Sequence, residues 1–362
     1  LRGSAARDAT AWAAALDDLG ASARLDVGGH AALFSGQCLA TDLGAYLSLV
    51  GEAVLRPAFA EAEIELVRAQ TLAAIAEDAR DTGAVADATW RGLAYPRDHP
   101  FRTRAIGEER VVREASSREL RDFQRVAILG GAAQCVIAGA TEPERAFDAV
   151  ASAFAGWPAG PNGESRVIED AAIAAPLRRD VHVPDKTQCD VVLGWHGLPR
   201  RDPRFVAARV TNMVFAADTF ASRAGNVVRD QLGLAYYVFS TLGASLGQAP
   251  WVVRMGVNPA NVERAIETTL AELRKIREGD IADDDLDLAR DKLVGELDVA
   301  LESPGGVAQM ILEAELFSLG DDHFERYPRE LRGVTREQVA ETASAFLGDR
   351  YALAVAGPVP VS

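Results

Sequence analysis

The chain repeats itself, and a repeat constrains the architecture before any single residue is considered. In the first half a helix closes at Leu16-Asp17-Asp18-Leu19-Gly20, where glycine suits a left-handed cap, and strand-like runs follow at Ser22–Val27 and His30–Leu39. Thr41 or Asp42 then caps a helix to about Val54. Helices are expected over about Glu61–Arg80 and Gly83–Tyr95, another opens at Ser117-Arg118-Glu119-Leu120, and Ala133–Ile137 reads as a strand ending at Ala138-Gly139.

The second half runs in the same order. A helix ends at Arg229-Asp230-Gln231-Leu232-Gly233, strands follow at Tyr236–Thr241 and Trp251–Val257, and Asn258 caps a helix to about Glu278. Asp283–Leu301 and Ser303–Leu319 read as helices, Thr335-Arg336-Glu337-Gln338 opens another, and Ala352–Val355 is a strand ending at Ala356-Gly357. Leu19-Gly20 pairs with Leu232-Gly233, Ile64…Arg68 with Leu286…Arg290, Ser117 with Thr335, and Ala138-Gly139 with Ala356-Gly357, at separations of about 213, 222, 218 and 218 residues. Short insertions account for the spread.

The stretch Gly156-Trp157-Pro158-Ala159-Gly160-Pro161-Asn162-Gly163 breaks both helix and strand and begins a linker to about Arg179. The expected organisation is therefore a first lobe over 1–155, a linker over 156–179 and a second lobe over 180–362. Strands grouped with long helices predict an α+β fold, each lobe a mainly antiparallel sheet with helices on one face. A space between two such lobes is the usual place for a binding site.

Acidic side chains outnumber basic ones, 53 to 38, for a net charge of −15. A field of that sign argues against nucleic acid and anionic membrane surfaces as partners. It is either a solubilising excess or an acidic chamber that attracts basic peptides. No apolar run approaches the roughly 20 residues of a membrane helix. Cys38, Cys135 and Cys189 form no CxxC pair, and the first two sit in apolar strand-like runs, so buried thiols are expected. The opening Leu1-Arg2-Gly3-Ser4 leads straight into a helix pattern without Met or a signal peptide, which reads as an incomplete N-terminus.

Three phrases carry a family resemblance. Leu1-Arg2-Gly3-Ser4 looks like the segment after an HxxEH helix, Tyr95-Pro96-Arg97-Asp98-His99-Pro100-Phe101 resembles a Y-G-x-x-H-P-Y turn, and Gly233-Leu234-Ala235-Tyr236 matches a G-L-A-Y phrase. Together with the repeat they resemble the pitrilysin or insulinase zinc metallopeptidases, in particular small bacterial members related to mitochondrial processing peptidase. The resemblance implies a LuxS/MPP-like metallohydrolase fold and extends over essentially the whole chain.

In that family zinc is held by HxxEH, whose two His share one helix face, and by a downstream Glu. The five histidines here, His30, His99, His182, His196 and His323, include no two within five residues. Setting Arg68, Leu72 and Ile75 against the family's R-x-x-x-L-E-E-I puts Ala73 and Ala74 where the acid should be, and Glu77 and Asp78 lie about one turn further on. No metal is therefore expected in this chain, with Glu77 as ligand the alternative if the register slips. His99, ahead of Pro100 in a turn, reads as a structural, hydrogen-bonded residue.

The resemblance assigns Arg229 and Tyr236, seven residues apart, to substrate binding at a zinc held outside the second lobe. Arg supplies a permanent charge with forked donors and Tyr a hydroxyl, and donors aimed at a scissile carbonyl stabilise the oxyanion. The plainer reading makes Arg229 a helix C-terminal charge and Tyr236 a strand aromatic. Tyr237 should face the other side of the strand. Ser303-Pro304-Gly305-Gly306 reads as an interhelical turn, not a phosphate cradle.

Three functions follow. One is a non-catalytic, substrate-binding subunit of a heterodimeric zinc peptidase, its partner a zinc-motif subunit of the same family and its substrate an unstructured peptide. A second is a catalytically silent structural or assembly subunit. The third is an active peptidase whose HxxEH helix is missing from the chain. The resemblance leaves the compartment open between bacterial periplasm and cytoplasm.

Overall fold

The computed structural model describes residues 2–28, 31–160 and 172–358. They form the expected α+β fold, in two compact units that interleave along the chain. One unit gathers 2–75, 105–160 and 300–316; the other gathers 76–104, 172–299 and 317–358. The division thus differs from the expected boundaries at 155 and 180, and the expected linker lies in part outside the described residues.

The unit holding most of the second half is built on a five-stranded sheet. Its strands are β3 (Leu177–His182), β4 (Cys189–His196), β5 (Ala235–Leu242), β6 (Pro250–Val257) and β7 (Ala352–Gly357), in the order β3-β7-β4-β6-β5. β3 and β7 run parallel and the other neighbours antiparallel. Alternation along each strand makes two faces. Val191, Leu193 and Trp195 join Trp251, Val253 and Met255 in a large core with residues of the helices Phe205–Phe215, Val262–Arg277 and Arg336–Phe346. Asn212 of the first helix accepts from the Trp251 indole at 2.7 Å and from the Ser240 hydroxyl at 2.6 Å, so the buried polar atoms are paired.

The other face carries Val192, Val252, Ala352, Ala354 and Ala356, and against it packs the helix Thr82–Ala94. Small side chains leave room for Trp90, which is fully buried and donates its indole N–H to the Ala352 carbonyl at 3.0 Å. Gly194 is required there, because a Cβ would stand 2.9 Å from the Trp90 ring and 2.4 Å from Val252. This docking assigns 76–104 to the second sheet, although sequence order places it in the first lobe. Nor is the sheet covered by helices on one face only.

The turn after that helix is fastened by aromatic stacking. Tyr95 lies between His99 and His196, with ring centroids 4.6 and 4.9 Å away. His99 is buried and accepts the Phe101 N–H on Nδ1 at 3.1 Å, while His196 Nε2 donates to the Ala94 carbonyl at 2.9 Å. His99 therefore has the structural role expected of it.

The other unit pairs only β1 (Ser22–Val27) with β2 (Ala32–Gln37), as an antiparallel hairpin. Its core forms where the helices Leu43–Leu55 and Pro143–Ala153 meet, so closely that a Cβ on Gly51 would stand 2.3 Å from the Ala153 carbonyl oxygen. Residues 133–137 are not a strand. Their counterpart β7 is held between β3 and β4, but no described strand of the first unit offers 133–137 a partner, and an apolar run alone cannot satisfy its backbone. Cys135 is accordingly exposed and Cys38 half-buried; among the three thiols Cys189 alone is buried.

The duplication is written in matching details, each internal to its unit. Gly20 and Gly233 both adopt left-handed φ, +55° and +60°, at a helix end. Ser116 with Glu119 and Thr335 with Gln338 form complete capping boxes. Arg68 pairs with Glu65 and donates to the carbonyl of Ala115, the residue before one cap. Arg290 likewise pairs with Asp287 and donates to the carbonyl of Val334, the residue before the other.

Candidate functional site

Arg229 and Tyr236 are brought together by a short, irregular passage. Gly225–Gln231 is a π-helix, Gly233 turns the chain, and β5 begins at Ala235. Single-turn π segments are rare and concentrate at functional sites. The Arg229 Nε donates to the Tyr236 carbonyl at 3.1 Å and Nη1 pairs with Asp230, so both N–H groups of Nη2 and the second of Nη1 are left to donate to an incoming oxygen. The guanidinium also lies 4.7 Å from the centroid of the Phe220 ring.

Among the described residues β5 is an edge strand, paired only with β6. Its register slips between Ala235 and Tyr237, leaving Tyr236 as the extra residue of a β-bulge. Ala235 and Val238 both enter the core, while Tyr236 is 63% exposed. Tyr237 points to the face opposite Ala235 and Val238 and donates to the buried Asp190 carboxylate on β4, which also accepts from Thr82. Burial and that hydrogen bond hold the Tyr237 phenol far above its usual range. Tyr236 therefore presents its hydroxyl to solvent and Tyr237 does not.

Among the described residues, those at the expected ligand position do not fit zinc. Ala73 and Ala74 occupy the helix Glu61–Asp78 at the expected ligand position, and alanine has no donor atom. Glu77 is exposed on the same helix, and Asp78 pairs with Arg104 at 2.6 Å. Among the described residues no three His, Cys, Asp or Glu side chains converge to hold a metal ion.

Asp190 and Phe220 escape sequence reasoning. Asp190 does leave a signal, a lone acid inside the apolar run Cys189-Asp190-Val191-Val192-Leu193. Phe220 leaves none, since its partner Arg229 is nine residues away across a π-turn.

A duplicated α+β scaffold with an Arg/Tyr pair at a sheet edge defines a peptidase-like chain. Residues 115–293 match the family described as the Peptidase M16 inactive domain, so the metallopeptidase resemblance read from the sequence is borne out. The chain is 23% identical to an uncharacterized zinc protease of Streptomyces coelicolor, over 99% of its own length and 78% of the relative's. It is 24% identical to one of Mycobacterium tuberculosis, over 97% and 80%. Its fold is that of a peptidase M16 inactive domain from Pseudomonas fluorescens (TM-score 0.90, 20% identity, 99% of this chain and 86% of that one). A protease from Helicobacter pylori shares the fold (TM-score 0.85, 14% identity, 99% and 86%), as does the periplasmic protease PqqL of Escherichia coli (0.76, 12%, 99% and 39%).

Proposed function

We propose that this chain is the substrate-binding, non-catalytic subunit of a two-chain zinc peptidase acting on unstructured peptides. The partner is a chain of the same family that carries the zinc motif. The observation that carries this reading is the Arg229–Tyr236 arrangement: a guanidinium tied to the Tyr236 carbonyl of an edge strand, where a bulge leaves the Tyr236 side chain exposed. Such donors suit a peptide carbonyl that becomes an oxyanion during cleavage. A scaffold has no need of an exposed phenol at a bulge, and an alanine at the ligand position argues against activity alone.

The reading is tested by assaying this chain, a zinc-motif relative and their mixture on a fluorogenic unstructured peptide. The expected result is hydrolysis by the mixture and neither chain separately. Chelator-sensitive hydrolysis by this chain alone with added zinc overturns it.

A further inference from the structure

We infer that Phe220 is a positioning residue for Arg229, an inference that rests on the function proposed above and adds to it how the guanidinium is aimed. Phe220 is 71% exposed, yet its ring is not idle: the Arg229 guanidinium lies over it at 4.7 Å. An arginine at a surface ordinarily samples many rotamers. Here three contacts fix the planar group: Nε on the Tyr236 carbonyl, Nη1 on Asp230, and one face on the Phe220 ring. The two hydrogen bonds set the position of the group, and the ring limits its tilt.

The segment that presents Phe220 is itself held. The Asp218 carboxylate accepts the N–H groups of Phe220 and Ala221, at 2.7 and 2.9 Å, and pairs with Lys292. Its hydrogen bond with Lys292 holds the Asp218 carboxyl below the usual range, so the clasp is fully formed at neutral pH and is released only as pH falls through that lowered value. The Ser222 hydroxyl donates to the Asp218 carbonyl. Gly225 lets the loop close on the π-helix, because a Cβ there would stand 2.1 Å from the Thr219 carbonyl oxygen. An exposed phenylalanine on so tightly fastened a turn is a fixed surface against which a cation can be aligned.

Exposed Leu232 and Tyr236 add apolar surface in the same passage of chain. The site would thus take a carbonyl flanked by an apolar side chain.

The test uses the two-chain enzyme with Phe220→Ala, Phe220→Leu and Phe220→Tyr, each with and without Arg229→Ala. Phe220→Ala and Phe220→Leu are expected to lower kcat about tenfold with KM within about twofold, and Phe220→Tyr, which keeps the ring, to stay within about twofold of the parent. In the Arg229→Ala background Phe220→Ala should cost nothing more. A second readout needs no activity: the Nε–H resonance of Arg229 in the full chain should lose its ring-current shift in Phe220→Leu and keep it in Phe220→Tyr. Full activity of Phe220→Ala, or an equal loss with and without Arg229, overturns the inference and leaves the proposed function standing. Full activity of Arg229→Ala overturns both.

Discussion

In the two-chain peptidase, Arg229→Ala is expected to lower kcat/KM by about 10²–10³-fold, the loss typical of removing one oxyanion donor. The fall should lie in kcat, because the interaction strengthens as charge develops on the carbonyl oxygen. Tyr236→Phe removes a single hydroxyl and should cost about tenfold or more in the same direction. Arg229→Lys should not restore the parent rate, since an ammonium cannot hold the Tyr236 carbonyl and Asp230 while offering a further planar donor. Neither side chain is buried in a core, so urea midpoints should barely move. Steady-state kinetics beside an unfolding curve separates the two effects, and unchanged turnover in Arg229→Ala favours a silent scaffold.

The second large effect is on stability. Trp90→Ala should destabilise the chain by about 3–5 kcal/mol, the range for emptying a buried indole site. The indole is fully buried among alanines of β7, and its loss also leaves the Ala352 carbonyl without its side-chain donor. Trp90→Phe should cost less, because most of the apolar contact survives. The check is the shift of the urea midpoint at constant slope. A loss below about 1 kcal/mol in Trp90→Ala would mean that the helix Thr82–Ala94 does not depend on the sheet.

The sequence revealed what local chemistry dictates. Gly20 and Gly233 mark left-handed helix ends because other residues are strained there, and Thr335 marks a helix start because its side chain accepts the Gln338 backbone N–H while the Gln338 side chain accepts that of Thr335. Arg68 and Arg290 could be paired by position, although their shared grip on a carbonyl before a cap required coordinates. Non-local geometry stayed hidden. Ala133–Ile137 has a strand's composition but no described strand to pair with, and Thr82–Ala94 was placed by sequence order when its Trp90 fits the other unit's sheet. At the candidate site the identities of Arg229 and Tyr236 were legible from a phrase. The π-turn, the bulge and the Phe220 ring that relate them were not, because none has a fixed sequence signature.

The extra residue at Tyr236 uncouples two requirements that an unbroken ladder would tie together. Val238 and Ser240 keep their phase inside the sheet whatever the chain does one step earlier, since no residue of β6 stands opposite Tyr236. Its carbonyl is taken by Arg229 instead. The phenol can follow an arriving ligand by turning about its own side-chain bonds, which leaves the carbonyl on Arg229 and the hydrogen-bonded rungs on either side in place.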